Sequence, residues 1–250
     1  MSLLRLTNIS RVFGKVVALQ NVELEMEEGR LYAVIGPNGA GKTTLFNLIS
    51  GFFPATSGEI WFDGRQINRV PAADRVALGL VRTFQITEVF PELSVFENVR
   101  IGVEAEARCS TRPWPGRALI RQINERVQEL LEATGLGAQA GRIVSELAHG
   151  DQRVVEVTMA LSRRPKLLLL DEPTAGMGQE ETAHMVRLIR DLHVRQRQSI
   201  LFIEHDMDLV FGIADRITVL NYGKVLATGT PRDVAADPLV QAAYLGEAAA

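Results

Sequence analysis

The segment Gly36-Pro37-Asn38-Gly39-Ala40-Gly41-Lys42-Thr43 constrains this chain more than any other. The short apolar run Leu31–Ile35 precedes it and a helical run, Thr44–Ser50, follows it. A short apolar run closed by Gly-Pro reads as a fully buried strand, so the order is strand, glycine loop, helix. Glycines let the backbone curl until successive N–H groups point at one anion. The helix behind the loop adds the positive end of its dipole. This is the pattern of a phosphate loop. Lys42 is placed to reach the β- and γ-phosphates of a nucleoside triphosphate, and the Thr43 hydroxyl to ligate Mg2+. Gly36, Pro37, Asn38, Gly39, Ala40, Gly41, Lys42, Thr43 and Thr44 form the candidate nucleotide-binding set. The plainer alternative is a glycine-rich turn joining strand to helix. With glycine at about 7% of residues, a chance match in a chain of this size is on the order of 1%. The flanking elements lower it further.

A second apolar run, Leu167–Leu170, ends in Asp171-Glu172-Pro173. A parallel strand presents ligand-facing groups at its carboxyl end, where phosphate-loop folds bind nucleotide. Asp171 suits the Mg2+ shell, and Glu172 suits a base that polarises the attacking water. Alone, such a pair would read as two solvated acids in a turn; beside a phosphate loop it reads as the machinery of ATP hydrolysis. Around these motifs the chain alternates. Leu167–Leu170, Ile200–Ile203 and Ile217–Leu220 are strands, separated by helices at Glu180–Arg195 and near Met207–Ala214. The first helix carries Met185, Leu188, Ile189 and Leu192 on one face. Strands separated by helices imply a parallel sheet. Earlier, Val22, Leu24 and Met26 alternate with glutamates, and Glu59–Phe62 runs into Asp63-Gly64, a strand entering a hairpin turn. From about Phe84 to Leu161 the pattern is mainly helical, as in Ile120–Ala133 and Asp151–Leu161, with Arg108–Gly116 as an exposed loop. The expected fold is a single α/β domain of the phosphate-loop NTPase type. A nucleotide-binding core with an antiparallel β subdomain spans 1–84 and 162–250, and a helical subdomain is inserted at 85–161.

Composition sets limits. A net charge of −3 supplies no general basic field, which argues against nucleic acid as partner. A lone cysteine, Cys109, forbids an internal disulfide. The N-terminus lacks the layout of a signal peptide. No run approaches the roughly 20 apolar residues of a membrane span, so the chain is expected to be soluble when isolated.

With these motifs in place, the whole chain resembles the ATP-binding subunit of ABC transporters. Gln85, in Arg82-Thr83-Phe84-Gln85, is similar to the glutamine that joins core to helical subdomain and touches Mg2+ and water; without that context it would read as a surface amide. His205 resembles the histidine that contacts the γ-phosphate, the alternative being a satisfied histidine at a strand end. Phe13 resembles the aromatic that stacks on adenine, the alternative being a core residue. Leu147-Ala148-His149-Gly150-Asp151-Gln152 takes the place of the family signature. It departs from the common Leu-Ser-Gly-Gly-Gln: Ala148 lacks the serine hydroxyl and Asp151 replaces the glutamine. Asp151 is expected to cap the following helix. His184 and His193 are expected to be solvated on their helix. Thr174–Gln179 lacks an aspartate that many relatives carry there.

The resemblance implies that the signature of one subunit closes over ATP held by the phosphate loop of another, itself or a paralogue. It is closest to importers of branched-chain and other hydrophobic amino acids, urea and amides. The alternatives are a lipopolysaccharide-export ATPase or an ABC ATPase that transports nothing. Two membrane permease subunits and an extracytoplasmic solute-binding protein are the implied partners. The implied place is the cytoplasmic face of the inner membrane, held peripherally. Gln85–Phe96, with Val89, Phe90 and Leu93, is the expected docking patch for a permease helix, unless those side chains are buried. Lys42→Ala is expected to weaken nucleotide binding itself; an unchanged affinity for a fluorescent ATP analogue would count against the phosphate loop.

Overall fold

A computed structural model describes residues 2–83, 89–107 and 116–245. The chain opens with a long hairpin, β1 (Ser2–Phe13) and β2 (Val16–Glu27). In β2, Val22, Leu24 and Met26 are buried while Glu23, Glu25 and Glu27 are exposed, the period-two alternation of a sheet covered on one face. β4 (Ser57–Phe62) pairs antiparallel with β1, and β5 (Arg65–Gln66) extends the sheet in the order β2-β1-β4-β5. The β4–β5 turn is Asp63-Gly64, with φ of 48° and 74°, the left-handed pair that matches strand twist in a tight hairpin.

A second sheet runs β10-β9-β3-β8-β7-β6. Its strands are β3 (Leu31–Ile35), β6 (Leu80–Arg82), β7 (Leu167–Asp171), β8 (Ser199–Ile203), β9 (Arg216–Asn221) and β10 (Lys224–Gly229). All pair in parallel except β10, which returns antiparallel against β9. β3, β7 and β8 are buried at every position, which is why they read as unbroken apolar runs. Alternate residues divide between two cores. Tyr32, Val34, Leu167, Leu169, Leu201 and Ile203 face α1 (Lys42–Ser50) and the antiparallel sheet. Ala33, Ile35, Leu168, Leu170, Ile200 and Phe202 face the other way, into a core shared with the later helices.

That second core takes Val95, Val99 and Val103 from α3 (Val95–Glu106), Val127 and Leu131 from α4 (Arg117–Ala133), and Val155 from α5 (His149–Leu161). α6 (Gln179–Gln196) buries Met185, Leu188, Ile189 and Leu192, the stripe expected from their spacing. Short helices α7 (Met207–Ile213), α8 (Pro231–Ala236) and α9 (Pro238–Leu245) complete that side. Among the described residues no helix is long and apolar enough to cross a membrane. Most of Arg108–Gly116, including Cys109, lies outside the described residues.

One expectation on α6 is corrected. His193 is not solvated: its side chain is 16% exposed and its Nε2 lies 3.4 Å from Asp215 Oδ2. Four residues past Ile189 and one past Leu192, it borders the buried stripe and leans on the segment entering β9. The same Asp215 carboxylate accepts from the Leu31 N–H at 2.9 Å, tying this end of the sheet together.

Arg75, in α2 (Ala72–Ala77), is 2% exposed. Its guanidinium donates to the carbonyls of Leu48 and Ile49 at 2.7 Å each, Ile67 at 2.7 Å and Val70 at 2.9 Å. Loss of solvent lowers its pKa to about 10, still far above neutrality. The cation thus sits at the C-terminal end of α1, where orphan carbonyls and the negative end of the helix dipole gather. Gly51 leaves room for it: a Cβ there would lie 2.8 Å from Arg75 Nε. Arg75→Leu is expected to destabilise the fold by about 3 kcal/mol, because four carbonyls lose their charged donor at once, and only those of Leu48 and Ile67 keep a backbone N–H, from Gly51 and Val70. The urea midpoint measures this.

Candidate nucleotide-binding and hydrolysis site

The phosphate loop is built as its glycines require. It leaves β3 and enters α1, which starts at Lys42, two residues before the expected Thr44, with Gly41 at the N-cap. Gly36, Gly39 and Gly41 have φ of 150°, 76° and 102°, a left-handed backbone that side chains resist. A Cβ on Gly36 would lie 2.1 Å from the Leu220 carbonyl, and one on Gly41 2.8 Å from the Ala18 carbonyl. β2 and the β9–β10 turn therefore brace the loop from behind, and Gly223 N–H donates to Ala40 O at 3.0 Å. Lys42 is 6% exposed, with Nζ 2.6 Å from Gly36 O and 3.0 Å from Pro37 O. Its ammonium is held in the throat of the loop, and Thr43 is exposed in the first turn of α1.

Parallel pairing sets Asp171, the last residue of β7, opposite Ile203, the last of β8. The residues that follow each strand then meet. Glu172 Oε1 lies 2.8 Å from His205 Nε2, so the expected base and the expected γ-phosphate contact form a pair. Glu172 carries φ of +49°, a conformation that a non-glycine residue holds only with outside support. Asp171 is buried, and Arg82 Nη2 donates to its Oδ2 at 2.6 Å. The other arm of Arg82 reaches Asn47 Oδ1 at 2.7 Å and Ser50 Oγ at 3.1 Å, both on α1. Arg82 thus joins the acid-bearing strand to the helix behind the phosphate loop. In the sequence it stood only as context for Gln85, which itself lies outside the described residues. Glu204 likewise stood only as context, for His205. Buried, it accepts from Thr174 N–H at 2.9 Å, Thr174 Oγ1 at 2.7 Å and His205 N–H at 3.2 Å, which orients both segments bearing the pair.

Among the described residues no three His, Cys, Asp or Glu side chains group as a closed metal cage. Mg2+ does not require one, since it binds through one or two carboxylates together with substrate phosphates and water. The Asp171 carboxylate and the Thr43 hydroxyl are oxygen donors of that kind, so the residues fit the ion.

The family described as ABC transporter matches residues 19–175, more than half of the chain. The chain belongs to that family. Its ABC relatives include LivG of Salmonella typhimurium, a high-affinity branched-chain amino acid transport ATP-binding protein, 40% identical over 98% of both chains. BraF of Pseudomonas aeruginosa, of the same description, is 38% identical over 98% of both. A second family, described as branched-chain amino acid ATP-binding cassette transporter, matches residues 224–250. In three dimensions the chain is similar to an ATP-binding cassette of an ABC transporter in its ADP conformation. The TM-score there is 0.87 at 31% identity, covering 98% of this chain and 99% of the other. A nucleotide-free cassette from an ABC transporter gives 0.85 with the same identity and coverage.

The remaining ABC residues are placed as follows. Phe13 ends β1 and is 39% exposed, so it is not a core residue. Its ring meets Phe53 edge-on at 5.5 Å, and the Arg11 guanidinium lies 4.4 Å from its centroid. In the signature segment Leu147 is buried, and Ala148 takes the N-cap position of α5 without a side-chain bond. The expectation that Asp151 caps this helix is overturned. α5 begins at His149, which puts Asp151 inside its first turn, where Oδ2 accepts from Gln139 Nε2 at 3.1 Å. Gln152 Nε2 turns back to Leu147 O at 3.1 Å. Gly150 N–H donates to Glu181 Oε1 at 3.0 Å, and the Gly178 N–H, then this one, hold the Glu181 carboxyl below the usual carboxylate range.

Arg82→Met is expected to lower kcat for ATP hydrolysis at least about tenfold by loosening Asp171, with a fall in Tm from the stranded buried carboxylate. Arg121→Met, which breaks a solvated pair with Glu125 on α4, is expected to change neither. Phosphate release and thermal melts read both variants.

Proposed function

We propose that this chain is the ATP-hydrolysing subunit of an importer of branched-chain or related hydrophobic amino acids. The observation that carries the hydrolytic role is the Glu172–His205 pair, 2.8 Å apart, at the strand ends beside the phosphate loop. The loop amides from Gly36 to Thr44 and the Lys42 ammonium bind the β- and γ-phosphates, and the exposed ring of Phe13 stacks on the adenine. Thr43, Asp171 and Gln85 would hold Mg2+, which would supply charge neutralisation at the developing phosphate charge. Glu172 accepts a proton from the attacking water, and His205 holds that carboxylate in place and faces the γ-phosphate. Both act without moving far, because Glu204 fixes the backbone of His205.

In this reading a complete site takes two ABC ATPase chains. Leu147, Ala148, His149, Gly150, Asp151 and Gln152 of one close over the nucleotide held by the other. With Ala148 in place of serine, the N–H groups at the start of α5 carry that contact, apart from the Gly150 N–H that Glu181 holds. Residues 85–161 act as the helical subdomain, and 1–84 with 162–250 as the nucleotide-binding core. The names borne by LivG and BraF favour an amino-acid solute over lipopolysaccharide. Two permease subunits and an extracytoplasmic binding protein complete the system, with this chain held peripherally at the cytoplasmic face of the membrane. For the permease contact, Phe90 is 48% exposed and Val89 and Leu93 are half-buried. Buried Asn98 holds the Phe90 backbone, accepting from its N–H at 2.8 Å and donating to its carbonyl at 3.0 Å.

Glu172→Gln is expected to retain ATP, abolish phosphate release, trap a closed dimer on size exclusion, and stop leucine uptake in cells that depend on this chain. Normal turnover in that variant would remove Glu172 from its role; lost turnover with normal leucine uptake would remove the solute.

A further inference from the structure

Arg153 lies one turn into α5, directly behind the signature segment, and its side chain is 3% exposed. Its Nη1 donates to Glu156 Oε2 at 2.8 Å, and its Nη2 lies 3.1 Å from Asp171 O and 3.3 Å from Glu172 O. A guanidinium anchored on the signature helix therefore grips the backbone of the two acids at the hydrolysis site. Glu156 is buried, three residues along the same helix, and aims the guanidinium, so its direction follows the direction of α5.

The grip falls where the backbone needs support. Left-handed φ at a non-glycine residue is strained and persists only where neighbours impose it. Glu172 is held there by its N–H to Ile203 O at 3.0 Å, by Ala175 N–H to its carbonyl at 3.1 Å, and by Arg153. The first two bonds come from the β8 end and from the local turn. Arg153 comes from the element that meets a different nucleotide. With Nη1 fixed by Glu156, the planar guanidinium keeps Nη2 against two successive carbonyls and resists rotation of that peptide, so a small shift of α5 is passed to the Glu172 side chain.

We propose that Arg153 is a positioning residue through which the nucleotide held by the partner, seated on this chain's signature, sets the geometry of this chain's own base. The two sites of the dimer are then coupled through α5. This inference rests on the two-chain hydrolytic reading above.

The test is Arg153→Lys, which keeps a cation beside Glu156 but loses the planar fork. ATP hydrolysis is measured against ATP concentration on the full chain purified with its partner subunits. Nucleotide affinity and Tm are measured on the same material. The expected result is a kcat lowered at least about tenfold, the penalty of a slightly misplaced reacting group. The Hill coefficient is expected to fall from above 1 in the wild type towards 1, with nucleotide affinity within about twofold. If Arg153→Lys melts far below the wild type, the pair-deleted R153M/E156M, which strands no buried charge, is read in its place with the same expectations. Unchanged kcat and Hill coefficient in a folded variant, a wild-type Hill coefficient of 1, or an affinity loss that matches the kcat loss would each overturn the proposal. A wild type that hydrolyses normally beside an unaffected Arg153→Lys rejects this inference alone. A wild type that hydrolyses nothing rejects the hydrolytic reading, and this inference with it.

Discussion

Parallel pairing of β7 with β8 is the constraint from which the site follows. Because both strands run the same way and end in register, at Asp171 and Ile203, the residues beyond them emerge side by side. Glu172 and His205, far apart in the chain, then come within hydrogen-bond reach. β3 pairs in parallel with β8 and releases the phosphate loop at the same edge. A strand antiparallel at any of these positions would send its loop to the opposite edge. Burial of the sheet on both faces keeps the three ends together, because a slip by one residue would exchange its two apolar sets between the cores.

Charged groups behind this edge act as internal fasteners. Arg82 connects Asp171 to α1, Arg75 closes the far end of α1, and Glu204 ties the segment after Pro173 to the start of His205. Each is buried or nearly so, and each is hydrogen-bonded to named partners, the condition under which a buried charge is tolerated. Together they make the surroundings of the phosphate loop rigid in the region where backbone strain, at Glu172 and in the loop glycines, is concentrated. Catalysis by positioning and electrostatics depends on such rigidity more than on any single donor.

Much of this was legible in the residues. The apolar runs at 31–35, 167–170 and 200–203 read as buried strands, because their length and lack of alternation match a sheet covered on both faces. The stripe Met185, Leu188, Ile189, Leu192 announced α6. The phosphate loop was recognisable because only glycine tolerates its backbone, so the chemistry leaves a mark in the residue types. The antiparallel sheet was half visible, through the β2 alternation and the Asp63-Gly64 turn. β6, β10 and the closing helices α8 and α9 were not, since they are short and without strong periodicity.

What the sequence determined by itself, then, is a glycine loop of the phosphate-loop pattern, a strand that ends in two acids, and membership of a fold class that places them on one sheet. Only the tertiary structure decided which side chains touch. It paired Glu172 with His205 and gave Arg82 and Glu204 their work. It moved His193 against Asp215, started α5 ahead of Asp151, and sent Arg153 from the signature helix to the carbonyls of the acids. The reason is physical. Backbone requirements and hydrophobic period are local and leave a local trace in the chain, whereas a polar contact between residues distant in sequence depends on strand order and register, which no local window contains.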